Sequence, residues 1–371
     1  MRVLIITSNP FTKNGITSVI NNIVSSIKDN NIQFDLVCPD MPDQSYYKLF
    51  QEKNGTIYTI NRSAKHPVRY IKQLYKLIRK NQYDIVHAHG NSASLLMEML
   101  SALLGGVKVR VTHSHNTTCS EMLLHKLLSP FFRISYTYAL ACGQDAGKWL
   151  YGKRQFDVIK NGINVQKYEF SLEDREDLRN ELKIKQDDFV IGHVGVMNNQ
   201  KNHLYLLQVF QMISASVPNT KLMLVGDGKN RSMIEQFISE HHLEDRVVIV
   251  GNVNNVAPYL SSMDIIVMPS LYEGLPLALI EEQANGLVCL ASDTITRESD
   301  ISGNVKFISL ENENEWKQNI ILLHNTINIQ QRKSCSITAI KKIVESGYSI
   351  EDEAERVRKL YYKLCNQAMK R

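Results

Sequence analysis

The feature that most constrains this chain is a repeated alternation of short apolar runs and amphipathic stretches, present in both halves of its 371 residues. Short apolar runs bounded by turn signals read as buried strands, and apolar residues recurring every three to four positions read as helices. In the first half Val3–Thr7, Phe34–Cys38, Asp84–His89, Lys108–Thr112 and Thr137–Cys142 read as strands, with a short one near Val158-Ile159. Thr17–Lys28, Pro67–Arg79, Ser92–Leu104 and Met122–Tyr136 read as the helices between them. Strands alternating with helices predict a parallel, doubly wound sheet. Lys160-Asn161-Gly162-Ile163-Asn164 breaks the pattern with a turn signal, and a polar, charged stretch from Ser171 to Asp188 follows. The alternation then resumes, with strands at Val190–Val194, Lys221–Val225, Val247–Val250, Asp264–Met268 and Leu287–Ser292, and helices at His203–Ala215 and Arg231–His241. A chain of this length exceeds one typical core. The expectation is two Rossmann-like α/β domains, 1–165 and 166–349, a charged C-terminal helix over 350–371, and a ligand cleft between the halves.

Chemistry concentrates in Pro269-Ser270-Leu271-Tyr272-Glu273-Gly274-Leu275-Pro276-Leu277-Ala278-Leu279-Ile280-Glu281. The run Asp264–Met268 before it is a buried strand by pattern, and Ala278–Ala284 after it a helix, with Pro276 suited to the first turn. Glu273 then lies in a strand-to-helix loop, and Glu281 on the helix. In open α/β sheets such loops, at the carboxyl ends of the strands, hold ligands. A carboxylate beside a helix N-terminus suits a ligand carrying both hydroxyls and phosphate. The ordinary alternative is two glutamates in solvent, since this spacing also occurs by chance.

The segment resembles the Glu-x7-Glu motif of retaining glycosyltransferases of the two-domain GT-B fold, family four. The resemblance implies that Glu273 contacts the donor sugar and Glu281 the nucleotide ribose. Other segments match the same family in order, from Ile6 to Glu298. Met223-Leu224-Val225-Gly226-Asp227-Gly228 resembles its Val-Gly-x-Gly loop, where glycine lets backbone approach a nucleotide. It is not a dinucleotide fingerprint, because position 231 is Arg. Gly251-Asn252-Val253 would flank the base. Gly195, followed by Lys201, matches the family's Gly-Arg and downstream Lys, whose cations face the donor diphosphate. The expected Arg is Val196 here. At the end of the strand running into Val111-Thr112-His113-Ser114-His115, the pattern points to His115 as the donor-facing histidine, with His113 left open. His87 and His89 repeat the His-x-His spacing; a four-histidine metal cluster is imaginable, but no carboxylate or Cys completes a recognised ligand spacing. Asn14-Gly15-Ile16-Thr17 keeps one glycine of the family's phosphate-side Gly-Gly loop, Gly15, while Thr17 could cap the helix.

The resemblance implies a retaining, metal-independent hexosyltransferase without a cofactor. It would move a hexose or N-acetylhexosamine from a nucleotide sugar, expected to be a UDP-sugar, to a lipid-linked saccharide in bacterial capsule or exopolysaccharide synthesis. Two alternatives stand beside it: a non-catalytic nucleotide-sugar-binding partner of an active transferase, suggested by Val196, and a UDP-sugar epimerase on the same fold. Residues 1–165 carry 20 Lys and Arg against 10 Asp and Glu, while 166–371 carry 23 against 28. A basic first half fits an anionic membrane surface or acceptor; nucleic acid is not expected. The densest basic segment, Lys65 to Lys80, reads as an amphipathic helix, which either lies on a membrane or packs its apolar side on the sheet. No apolar run approaches the ~20 residues of a membrane span, and the apolar start is too short for a signal peptide. The expected location is the cytoplasm, at the inner face of the plasma membrane. The six Cys are scattered and suggest neither a disulfide framework nor a zinc site.

Overall fold

A computed structural model describes residues 1–12, 15–42, 44–63 and 66–370. The chain forms two compact units, residues 1–163 with 347–371, and residues 164–346.

In the first unit the order is β1 (Arg2–Thr7), α1 (Gly15–Ser26), β2 (Gln33–Cys38), α2 (Gln44–Glu52), β3 (Ile57–Thr59), α3 (Pro67–Asn81), β4 (Ile85–His89), α4 (Leu96–Leu104), β5 (Val109–Ser114), α5 (Met122–Ser135), β6 (Tyr138–Ala141), α6 (Gln144–Tyr151) and β7 (Asp157–Val158). The seven strands pair in parallel in the order β3-β2-β1-β4-β5-β6-β7. Helices cover both faces of a parallel sheet, so its strands read as near-continuous apolar runs, as Val3-Leu4-Ile5-Ile6 does, every residue buried. α3 turns Tyr70, Leu74 and Ile78 into the core, beside Met99 of α4 and Phe132 of α5. The basic helix therefore packs its apolar side on the protein; Lys65 lies outside the described residues.

The second unit runs α7 (Leu172–Glu181), β8 (Phe189–Val194), α8 (His203–Ser214), β9 (Thr220–Val225), α9 (Arg231–Glu240), β10 (Val247–Gly251), α10 (Ala257–Ser262), β11 (Ile265–Met268), α11 (Leu277–Ala284), β12 (Val288–Ser292), β13 (Val305–Ile308), α12 (Glu313–Thr326) and α13 (Ile329–Glu345). Its sheet is also parallel, in the order β10-β9-β8-β11-β12-β13. The charged stretch after residue 171 contains the helix α7. Arg175 and Arg179 of α7 are buried and reach the two oxygens of Asp264 at 2.7 and 2.8 Å, while Val190 N donates to the same carboxylate at 2.7 Å. Buried charge is tolerated there because it is paired and hydrogen-bonded.

The final helix, α14 (Ile350–Met369), belongs to the first unit and packs against α1. Ile163 bridges to Ser349, and Gly162 N donates to Glu353 Oε2 at 2.5 Å. A Cβ at Gly162 would stand 2.7 Å from Ile350 Cα, so the Asn-Gly turn is required by close backbone approach. No described helix is long and apolar enough to cross a membrane.

Candidate active site

In the second sheet β8 and β11 are neighbours, but the chain leaves β8 toward β9 and β10 on one side and leaves β11 toward β12 and β13 on the other. This is the point where strand order reverses, the place at which open α/β sheets hold ligands beyond the carboxyl ends of their strands. Lys201 and Glu273 meet there. The Lys201 ammonium lies 2.7 Å from Glu273 Oε1, with the two side chains 15% and 10% exposed. The pair is a charge contact out of hydrogen-bonding line, since Oε1 accepts no hydrogen bond. Oε2 accepts from Gln200 Nε2 at 3.2 Å. Gln200 also donates to Tyr272 O at 2.9 Å and accepts from Leu271 N at 2.8 Å, and so stitches the two loops together. Nothing in the local sequence singles out Gln200; its role follows from the adjacency of β8 and β11.

Glycines build the opposite rim. Gly226 has φ of +136°, and its N–H donates to Gly251 O at 2.8 Å. A Cβ at Gly226 would stand 2.1 Å from Gly195 O, while one at Gly195 would press on the Lys201 stem at 3.1 Å. Asn252 and Val253 follow Gly251, exposed and half-buried respectively. Val196, at the position of the expected Arg, is 51% exposed and brings no charge.

Gly274 and Leu275 are half-buried and lead into α11. Pro276 is the N-cap of that helix with extended backbone, one position before the first turn that the sequence suggested, because its φ of −73° is paired with ψ of 103°. Glu281 Oε1 accepts from Tyr168 Oη at 2.8 Å, and burial pushes its carboxyl up to about 7. Glu282 is fully buried with both oxygens unpartnered, and burial holds its carboxyl far above the usual range. Behind the Lys201 loop, His193 and His203 pack edge to face at 4.5 Å, and burial depresses both imidazoles, His203 to about 4. Sequence reasoning missed this buried layer and Tyr168, because no motif marks them.

His115 and Gly15 lie in the first unit. His87 and His89 of β4 lie beside His113 at the end of β5 and His115 just past it, with His89 opposite His113 in the strand register. The four rings form a cluster, with neighbouring centroids 4.2 to 5.5 Å apart. His87 Nδ1 meets Tyr361 Oη at 2.7 Å, His89 Nδ1 meets His115 Nε2 at 2.9 Å, and His115 N donates to Asn91 Oδ1 at 2.9 Å. His113 is fully buried with neither ring nitrogen partnered, whereas His115 is half-buried at the strand's end. Burial pushes His87 and His115 down to about 3 and the other two well below the usual range, so all four are neutral at physiological pH. Ligand nitrogens of His87, His89 and His113 lie within 4.8 Å of one another, a spacing that could hold a metal ion without any carboxylate. Gly15 opens α1, exposed, with nothing within 4 Å of a Cβ placed on it. Thr17 lies inside the first turn of α1, so it is not the cap that the sequence allowed, and Asn14 is outside the described residues.

Two family models match the chain. That described as Glycosyltransferase Family 4 matches residues 13–167, and that described as Glycosyl transferases group 1 matches 174–342. EpsF of Bacillus subtilis, provisionally described as a glycosyltransferase, is 29% identical over 334 residues, 86% of each chain. The Escherichia coli UDP-Gal:α-D-GlcNAc-diphosphoundecaprenol α-1,3-galactosyltransferase is 27% identical over 89% of each chain. Among solved structures, Anabaena HepE in complex with UDP superposes with a TM-score of 0.79 at 15% identity, covering 98% of this chain and 100% of that one; at that identity the likeness is one of fold.

Proposed function

Because the chain belongs to the family-four-like glycosyltransferases of the GT-B fold, we propose that it is a retaining hexosyltransferase using a UDP-sugar and a lipid-linked saccharide acceptor in bacterial capsule or exopolysaccharide synthesis. The observation that carries the reading is the Lys201–Glu273 pair at the switch point of the second sheet. In this reading the donor diphosphate takes the Lys201 ammonium from Glu273. A point charge suits phosphate, and the diphosphate brings more negative charge to the ammonium than the single carboxylate it displaces. Glu273 Oε1 is then free to accept a hydroxyl of the donor sugar. Glu281, steadied by Tyr168, accepts the ribose hydroxyls.

The bond from the sugar's anomeric carbon to the diphosphate breaks, and a bond to the acceptor oxygen forms on the same face through an oxocarbenium-like transition state. The acceptor proton passes to a donor phosphate oxygen. Lys201 and backbone N–H groups stabilise the leaving diphosphate, a role worth about two to three orders of magnitude in turnover. His115, whose imidazole burial keeps neutral, takes the donor-facing role that the family resemblance gives it, and Gly15 the phosphate-side role. No step requires a metal or other cofactor. The protein works in the cytoplasm, at the inner face of the plasma membrane. Relatives whose names carry a UDP-sugar, an undecaprenyl-linked acceptor or capsule biosynthesis support this choice of substrates.

The test is a panel of UDP-, GDP-, ADP- and CMP-sugars, with binding measured by calorimetry and nucleotide release followed in parallel with lipid-linked acceptor extracts. Binding of a UDP-sugar with nucleotide release and sugar transfer is the expected result. Binding without release favours a non-catalytic partner, the reading suggested by the uncharged Val196. Conversion of free donor to its epimer would make the protein an epimerase.

A further inference from the structure

Helix α5 turns an apolar face outward. Leu123, Leu127, Phe131 and Ile134 are 83%, 68%, 59% and 72% exposed. Their spacing of four, four and three residues places them on one stripe of the helix, and Pro130 falls within it. The opposite face, His125, Ser129, Phe132 and Ser135, is buried, and Phe132 enters the core. The helix is thus anchored without its apolar stripe, and an exposed apolar stripe of this size marks an interaction surface.

Charge selects the partner. α3, α4 and α5 pack side by side in one layer on the first sheet. α3 exposes Arg69, Lys72, Lys76, Arg79 and Lys80, and α5 exposes Lys126. The one acid on these three helices, Glu98, is fully buried and paired with Arg62 at 2.7 Å. The outer surface of the layer therefore offers cations and hydrocarbon, with the exposed Glu121 at the N-cap of α5 as the one carboxylate beside them. The first unit as a whole carries 26 Lys and Arg against 14 Asp and Glu, net +12, while the second carries 17 against 24. A second copy would set cations against cations. A surface that pairs phosphates with these cations and acyl chains with the stripe is an anionic lipid bilayer.

We propose that α5 seats the first unit on an anionic bilayer as an interfacial helix, with the cations of α3 as its electrostatic flank. The inference rests on the lipid-linked acceptor proposed above, and it gives that acceptor a route. Beside the stripe, Leu124 and Leu128 of α5 join Leu96, Met97 and Leu100 of α4 around a cavity of about 640 Å³ that extends to Asn9 and Asn91 at the strand ends. The lining thus offers a lipid held in the bilayer both hydrocarbon and hydrogen-bonding groups.

The test is co-sedimentation of the full chain with vesicles of phosphatidylcholine alone or with added phosphatidylglycerol. Binding is expected on the anionic vesicles and should fall with salt. The double variant Leu127→Glu/Phe131→Glu should lower partitioning by about a hundredfold, with an unchanged melting temperature showing that it folds. Lys72→Glu/Lys76→Glu should weaken binding to the anionic vesicles and flatten its salt dependence. Wild-type partitioning left intact in the α5 variant would overturn the proposal. So would a wild-type self-association, seen by sedimentation velocity, that the α5 variant abolishes, since a second copy would then cover the stripe. Transfer to a detergent-free, short-chain acceptor should be the same in wild type and α5 variant. If the wild type transfers to no acceptor yet binds vesicles through α5, the substrate reading fails and the membrane surface stands.

Discussion

Glu281 offers the sharpest prediction, because one carboxyl sets a pH dependence of donor binding. Its burial raises the carboxyl to about 7, against the opposing pull of the Tyr168 hydroxyl and the Lys167 charge. If the carboxylate form accepts the ribose hydroxyls, the apparent dissociation constant scales as one plus ten to the power of seven minus pH. About one molecule in eleven is ionised at pH 6 and about ten in eleven at pH 8, so affinity should rise roughly tenfold between them, or about 1.4 kcal/mol, and level off above. The sign for stability is opposite. A carboxyl raised in the folded state contributes stability that is present below its unfolded value and lost as pH rises through 7. The assay is calorimetry with UDP-glucose, whose diphosphate has no proton to lose in this range, in two buffers of different ionisation enthalpy. Proton release on binding should approach one at pH 6. Tyr168→Phe removes a hydrogen bond that favours the ionised form and should move the midpoint upward. Glu281→Gln should bind weakly with no pH dependence. Equal affinity at pH 6 and 8, or a pH dependence surviving in the Gln variant, would refute the reasoning.

Five further variants test other contacts. Lys201→Ala should cut kcat by about a hundredfold or more through loss of leaving-group stabilisation, and Glu273→Ala should lower kcat more than it raises KM; unchanged kinetics in both would sink the site. Val196→Arg places a cation on an exposed loop position, and should tighten UDP binding and steepen its salt dependence, measured by titration at two ionic strengths. Gly226→Ala demands a Cβ 2.1 Å from Gly195 O at φ of +136°, and should cost at least ~2 kcal/mol in chemical denaturation. Glu353, raised by burial to about 8, contributes stability that is fully present below its unfolded value of 4.5 and is lost as pH rises from there through 8; Glu353→Gln should flatten the fall in melting temperature between pH 5 and 8.

Several elements were legible because local and tertiary demands agree. Val3-Leu4-Ile5-Ile6 and Ile265-Ile266-Val267-Met268 are strands buried on both faces, so an unbroken apolar run is what their place in the sheet requires. α3 shows the opposite limit. Its amphipathic pattern was plain, yet a helix packed on a sheet and a helix lying on lipid share that pattern, and only the burial of Tyr70, Leu74 and Ile78 decides between them. α5 reverses the case, since its outward stripe is visible only once Phe132 is seen to be the residue facing the core. α7 was hidden by its charge, because nothing local reveals that Arg175 and Arg179 would find Asp264 some 85 to 89 residues away.

By itself the sequence determined the alternation of strand and helix, and hence the α/β class and the two parallel sheets, because strand and helix periodicities are local properties of side-chain order. It also determined which residue types stand at and after the strand ends: Lys201, Glu273, the glycines and the paired histidines, with Glu281 on the helix that follows. Only the tertiary structure decided which of them touch. Strand order brings β11 against β8 and so Glu273 to Lys201, 72 positions apart; the path of the chain into α7 brings Tyr168 to Glu281; and the return of α14 brings Tyr361 to His87 across 274 positions. Contacts between residues so distant are fixed by packing and topology, which no local period encodes.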